Sequence, residues 1–285
     1  MMQPPLCERL PDGRLHCQHG PIDLIAEAWG EVPEVARAYA QAEARFRTML
    51  EELVAELPGL RRPIEGAMPS FDGAVAKRMA NAVWPHRKLF VTAMAAVAGA
   101  VADEVLAALL RGRALSKAVV NDGGDIAFHL ASGEALSTGV VADISAPALD
   151  ALSSIGSESP VRGIATSGWR GRSQSLGIAD AVTVLARSAA SADAAATLIA
   201  NAVNVEHPSI ERRPARALRE DSDLGDRLVT VDVPPLPRAT IDAALASGAA
   251  CAERMRGAGL IETALLVLQG RARSVHGPLP LVRTA

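Results

Sequence analysis

At 285 residues, 49% apolar and 21% charged, the chain has ample material for a folded core, and an intrinsically disordered protein is excluded. Its formal net charge of -3, from 29 basic and 32 acidic side chains, speaks against a dedicated nucleic-acid binder. Aromatic residues make up only 3%, so Ala, Val and Leu must fill the interior and no array of rings is available for stacking bases.

Three cysteines (Cys7, Cys17, Cys251), an odd number with no C-x-x-C spacing, predict free thiols in a reducing compartment rather than a disulfide framework. The opening MMQPPLCERLPDGR has two prolines and no apolar core, unlike a signal peptide. Leu89 to Leu110 is the longest apolar run, but Asp103 and Glu104 interrupt it, which fits a buried helix better than a membrane span. Together these features predict a cytoplasmic protein.

In chain order, Arg14 to Gln18 and Ile22 to Ala28 read as a hairpin across His19-Gly20-Pro21. Pro33 suits a first helical turn. Val35, Ala38, Tyr39, Ala42, Phe46, Met49, Leu50 and Leu53 then form one apolar stripe of a helix over Glu34 to Glu56, stopped by Pro58-Gly59. Arg61 to Phe71 reads as a loop, and helices follow at Asp72 to Val83 and Thr92 to Arg111. Strands are expected at Ala118 to Asn121, Asp125 to Leu130 and Ser137 to Ile144, with Pro147 to Pro160 as an exposed loop. Further strands are expected at Arg162 to Thr166 and Ala181 to Ala186, then a helix at Ser191 to Val203 and a basic irregular stretch from His207-Pro208 through Asp226. A strand (Leu228 to Val233), a helix (Ile241 to Arg256) and a strand (Thr263 to Gln269) finish the pattern. With no internal repeat and no clean linker, residues 1–285 read as one α/β domain.

Asp193 and Thr197 are the most informative pair, because residues four apart share one helical face. A carboxylate and a hydroxyl suit a hard cation such as Mg2+ completed by phosphate oxygens and water. The plainer alternative is an acidic residue favouring a helix start, with an ordinary threonine behind it. Asn121-Asp122-Gly123-Gly124-Asp125 allows a ligand to approach the main chain, or simply makes a tight hairpin turn. Thr166-Ser167-Gly168 offers hydroxyls and amides to a phosphate, or is a loop. Arg170 and Arg172, with Ser173, could pair phosphate oxygens, or be solvated. His16, Cys17 and His19 make a poor metal set, since strand alternation sends His16 and Cys17 to opposite faces. G-x-S-x-G, G-x-x-x-x-G-K-[ST] and H-E-x-x-H are all absent, removing three common enzyme classes.

Taken together and in order, Asn121-Asp-Gly-Gly-Asp-Ile126, Gly163-Ile-Ala-Thr-Ser-Gly168, Ala181-Val-Thr-Val-Leu-Ala186 and Ser191-Ala-Asp-Ala-Ala-Ala-Thr197 resemble the ApbE superfamily of flavin transferases. Thr92-Ala-Met-Ala-Ala-Val-Ala-Gly-Ala100 and Ser222-Asp-Leu-Gly-Asp226 resemble one ApbE-like branch of cytoplasmic proteins, over nearly the whole length. The resemblance implies an α/β (α+β) T-fold with helices packed on antiparallel sheet. It places Asp193 and Thr197 at a Mg2+ site, and Asn121, Gly123, Gly124, Asp125, Thr166, Ser167 and Gly168 along a flavin or nucleotide cleft. The cofactors implied are Mg2+ and FAD or FMN. In that superfamily FAD is cleaved at its pyrophosphate and FMN passes to a hydroxyl of a partner protein.

Two departures bear on activity. Transferases carry His-x-x-Asp-Pro before the Val-Thr-Val strand, whereas this chain reads Ser175-Leu-Gly-Ile-Ala-Asp180, leaving Asp180 as the nearest substitute base. An acceptor-type Asp-Gly-x-x-Ala-Thr is missing too, because Asp72-Gly-Ala-Val-Ala-Lys77 lacks the hydroxyl. The expectation is Mg2+-dependent binding or processing of a flavin or another phosphate-bearing small molecule, without nucleic acid or membrane, and with a homodimer left open. The alternatives are a non-catalytic flavin or nucleotide module, or an unrelated small-molecule enzyme on the same scaffold.

Overall fold

Strands with buried apolar side chains and helices with a buried apolar face build each part of the fold. A computed structural model describes residues 4–140, 151–171 and 173–275. These fall into two compact units. One comprises Met1–Leu136, Ile155–Ala165 and Ala186–Asp193; the other comprises Ser137–Ser154, Thr166–Leu185 and Ala194–Ala285.

In the first unit, β1 (Leu6–Arg9), β2 (Leu15–His19) and β3 (Ile22–Gly30) form an antiparallel meander. Leu15, Cys17, Leu24 and Ala26 are buried on one side of it. Helix α1 (Val32–Leu60) buries seven of the eight stripe residues, Val35 staying half-exposed. Pro58 is accommodated inside its last turns. Helix α2 (Ala74–Val83) and α3 (Val97–Leu110) follow, the latter led in by a 3-10 turn at Ala93–Ala96. Strands β4 (Leu115–Asp122) and β5 (Asp125–Leu130) continue the sheet beside β3. Helix α3 packs on β4 and β5, and α1 on β2 and β3. A separate short ribbon pairs β6 (Ala135–Val140) with β7 (Ala151–Gly156), most of it belonging to the second unit. Strand β8 (Gly163–Ser167) joins β5 through Gly163 and Ile164.

The apolar span Ala93–Leu110 is long and apolar enough to cross a membrane, yet 61% of it is buried inside the protein. Both charges that interrupt it have partners. Glu104 accepts hydrogen bonds from Arg45 Nε and Arg78 Nε, each at 2.9 Å. Asp103 binds backbone amides described below.

In the second unit, β9 (Ala181–Ala186) is buried along its whole length. It leads towards α4 (Ala189–Ala202), which starts in the first unit. Then come β10 (Glu211–Pro214), α5 (Ala215–Leu218), β11 (Leu228–Asp232), α6 (Arg238–Gly257), β12 (Thr263–Leu268) and β13 (Arg271–Val275). Strands run in the order β9-β12-β13, all antiparallel, with α6 packed on β12 and β13; β10 pairs separately with β11. Gly248 of α6 allows this packing, since a Cβ there would overlap Val203 and Leu266.

Helices on antiparallel sheet are the expected class, but several local readings change. Residues 151–156 are strand β7 rather than loop; of the strand expected at Ser137 to Ile144, residues 137–140 lie in β6, and residues 141–150 lie outside the described set. The stretch beyond His207-Pro208 contains β10 and α5. Most consequential, β1 sets Cys7 opposite Cys17 with a Cα separation of 4.2 Å, and the two form a disulfide; Cys251 alone is a free, buried thiol. The expectation of free thiols fails for this pair because β1 is too short and polar to be foreseen as the partner of β2.

Candidate functional site

In the first unit the site is assembled from one turn and two helix starts. Asp122 pairs with Asp125 across the β4–β5 hairpin, and Gly123 (φ 63°) and Gly124 (φ 110°) make the two-residue turn between them. Both positive φ values favour glycine, as primed hairpin turns do. The Asn121 side-chain oxygen accepts from the Gly124 amide at 2.8 Å. A Cβ on Gly124 would meet nothing within 4 Å, so backbone conformation fixes this glycine while the space above it stays open. Alternation along β4 turns Ala118, Val120 and Asp122 inward and leaves Asn121 exposed.

Asp193 lies in the second turn of α4. One carboxylate oxygen accepts from the Gly99 amide of α3 at 3.1 Å, and the Ala98 amide contributes as well. The residue as a whole is half-buried. Even so, the protein packed around it is the main reason its pKa stands well above the ordinary 3.8; the Asp125 charge adds to the rise, the Gly99 amide opposes it, and Asp122 raises it further. The fold thus holds Asp193 where its ionised form is disfavoured by its neighbours.

The start of α4 has its own caps. Ser188 Oγ accepts from the Ser191 amide at 3.2 Å, and Asp103 takes the Ala189 and Ala190 amides at 3.0 and 2.9 Å. Gly99 and Gly163 both lie so close to this turn that a Cβ on Gly99 would overlap the Ala189 backbone, and one on Gly163 the Ser188 backbone. Asp103 does not stand out by sequence motif, and Gly99 does so only as a member of the Thr92–Ala100 segment. Their signal is the spacing Gly99-x-x-x-Asp103, repeated as Ala189-x-x-x-Asp193.

The second unit holds the other predicted residues. Thr166 is exposed, its hydroxyl 2.9 Å from that of Thr183. Ser167 is half-buried, and Gly168 is buried against the Asp180 carbonyl, which a Cβ would overlap. Asp180 is heavily engaged. Its Oδ1 accepts from Trp169 Nε1 (3.2 Å) and Arg170 Nε (3.3 Å), and its Oδ2 from the Gln269 amide (2.5 Å). The Ser175–Asp180 stretch is pinned to the end of α4, where Asn201 Oδ1 accepts from Ser175 Oγ and the Leu176 amide at 3.2 and 2.9 Å. Thr197, half-buried, sits one turn beyond Asp193 on α4. Arg172 lies outside the described residues. Among the described residues no three His, Cys, Asp or Glu side chains converge on one metal position, His16 and Cys17 included; His16 instead bonds Asp23 at 2.8 Å.

A family model described as AbpE bacteria matches residues 7–274. The chain belongs to this family. The UPF0280 protein of Methanothrix thermoacetophila is 34% identical over 240 residues, covering 78% of this chain and 93% of that relative. The UPF0280 protein of Methanosphaerula palustris is 32% identical, covering 77% and 90%. Among solved structures, the ApbE protein from Thermotoga maritima aligns with a TM-score of 0.49 at 12% identity, covering 96% of each chain. The apo flavinyl transferase ApbE of Pseudomonas stutzeri aligns at 0.43 and 14%, covering 96% of this chain and 94% of that one. Structural likeness at that level is weak, and membership of this ApbE-like family rests on the sequence matches.

Proposed function

We propose that this family member binds a phosphate-bearing flavin, FAD or FMN, together with Mg2+, using Asp193 and Thr197 of α4 as protein ligands of the cation. The observation that carries this reading is the placement of Asp193 beside Asp122 and Asp125 at the end of the β4–β5 hairpin. The Asp125 and Asp122 charges both disfavour the ionised form of Asp193, and a cation held at Asp193 would relieve that. The donors are oxygens only, which fits a hard divalent ion with one or two carboxylates and most of its shell left for phosphate and water. Bound there, Mg2+ supplies positive charge against the phosphate oxygens. The open space over Gly124 is available to the ligand's polar groups.

Binding is better supported than group transfer. Asp180, the nearest substitute for the transferases' histidine, already accepts three hydrogen bonds, and a carboxylate so engaged is poorly placed to take a proton from an acceptor hydroxyl. The protein, incubated with FAD, Mg2+ and a peptide carrying Asp-Gly-x-x-Ala-Thr, is expected to leave the peptide's mass unchanged. A covalent FMN adduct formed over several turnovers, and lost in Asp193→Asn, would restore the full transferase. Denaturing the purified protein and identifying any small molecule released tests the ligand class itself; a ligand without phosphate would count against this reading.

A further inference from the structure

Helices α3 and α4 cap each other. Neither the Ala96 cap position of α3 nor any side chain of its own first turn satisfies that helix's opening amides. Asp193 of α4 does so instead, through Gly99 and Ala98. In return, Asp103 of α3 takes the amides of Ala189 and Ala190 that open α4. Each helix therefore presents a small residue in its first turn and a carboxylate four positions later on the same face. The small residues, Gly99 and Ala189, touch each other directly, with no room for a Cβ on Gly99. The result is a closed ring: each carboxylate is held by the helix whose partner it anchors.

The two carboxylates share this geometry but not their surroundings. Burial disfavours the ionised form of both, but the Ala189 and Ala190 amides and the positive Arg78 oppose this at Asp103, whereas Asp125 and Asp122 add to it at Asp193. One is therefore suited to staying as an anchor, the other to meeting a cation. We propose that Asp103 is the positioning residue of the cation site, fixing the first turn of α4 on α3 and thereby the place and orientation of Asp193. This inference rests on the reading of Asp193 as a cation ligand. It adds a residue that touches neither cation nor flavin, and whose loss acts through α4.

Mn2+ serves as the probe, its free concentration read by electron paramagnetic resonance while thermal melting is followed in parallel. Supporting partners at metal sites typically matter by roughly 10–100-fold in affinity. Asp103→Ala is expected to weaken Mn2+ binding by about that factor, and Asp103→Asn, which keeps one acceptor, by less. Phe46→Leu, in the core of α1, supplies a control that lowers stability while keeping every acceptor of the caps. It is expected to bind Mn2+ as the parent does. Parent-like affinity in Asp103→Ala overturns the inference, as does an equal loss in Phe46→Leu. Should the alanine variant fail to fold, Asp103→Asn decides alone, and parent-like affinity there overturns the inference equally. Absence of Mn2+ binding in the parent would instead remove the cation reading of Asp193, and the inference with it.

Discussion

Asp193→Asn is expected to melt at a higher temperature than the parent while losing its divalent cation. The asparagine keeps an oxygen for the Gly99 amide but drops the charge that burial, Asp125 and Asp122 all oppose. The pH dependence follows from the direction of the shift. A carboxyl whose folded pKa is raised releases its proton first in the unfolded chain, near the ordinary 3.8. Stability therefore falls as pH rises from there towards the folded value, and the deficit persists above it. The variant should lack this component, so its advantage over the parent should be small in acid and fully developed once Asp193 is ionised. Cation affinity should drop by at least the roughly 10–100-fold that loss of a mere supporting partner causes. Melting curves across pH with and without Mg2+ check both halves. A variant less stable than the parent at neutral pH would mean that capping α3 needs the charge itself.

Gly99→Val should be among the most damaging single changes in the first unit. Gly99 is helical, and replacing glycine inside a helix with alanine ordinarily gains about 1 kcal/mol. Here any Cβ would overlap the Ala189 carbonyl and the backbone behind it, neither of which can rotate away as a side-chain tip would. Overpacking of this kind costs about 1–3 kcal/mol and sometimes more, so packing outweighs propensity. Valine, branched at Cβ, is expected to lose about 3 kcal/mol or more in urea denaturation, and alanine less. It should also weaken cation binding, because α3 and α4 would be pushed apart at the contact that sets Asp193. A Gly99→Val protein as stable as the parent would show that the two helices are not held at this point.

Much of the architecture is legible in the residues, for definite reasons. The long stripe of α1, the mostly apolar β9 and the paired glycines between β4 and β5 each carry a period or a turn requirement that few alternatives satisfy. The elements that escape notice are short, polar or at edges. Strand β1 reads Leu-Cys-Glu-Arg and β10 reads Glu-Arg-Arg-Pro, and their pairing is decided by neighbours distant in sequence. The disulfide goes unseen for the same reason, since Cys7 meets Cys17 only once β1 exists.

At the site, residue types point to Asp193 but not to what holds it. Asp103 interrupts an apolar run and is naturally taken as evidence against a membrane span; its contacts with Ala189 and Ala190 lie 86 and 87 positions away. Asp180 shows the converse. Its place before the Val182-Thr183-Val184 strand suggests a base, whereas its partners Trp169, Arg170 and Gln269 make it an anchor for the segment after Gly168.

Calorimetric titration of FAD into the purified protein, with Mg2+ and then with the chelator EDTA, tests the central claim most directly. The account predicts saturable binding at one site per chain that weakens by at least about tenfold without the cation, as expected if Asp193 holds a cation that offsets phosphate charge. In Asp193→Asn the affinity should be low and the same with or without Mg2+. FAD binding of equal strength in both conditions, or no binding by a folded parent protein, would contradict it.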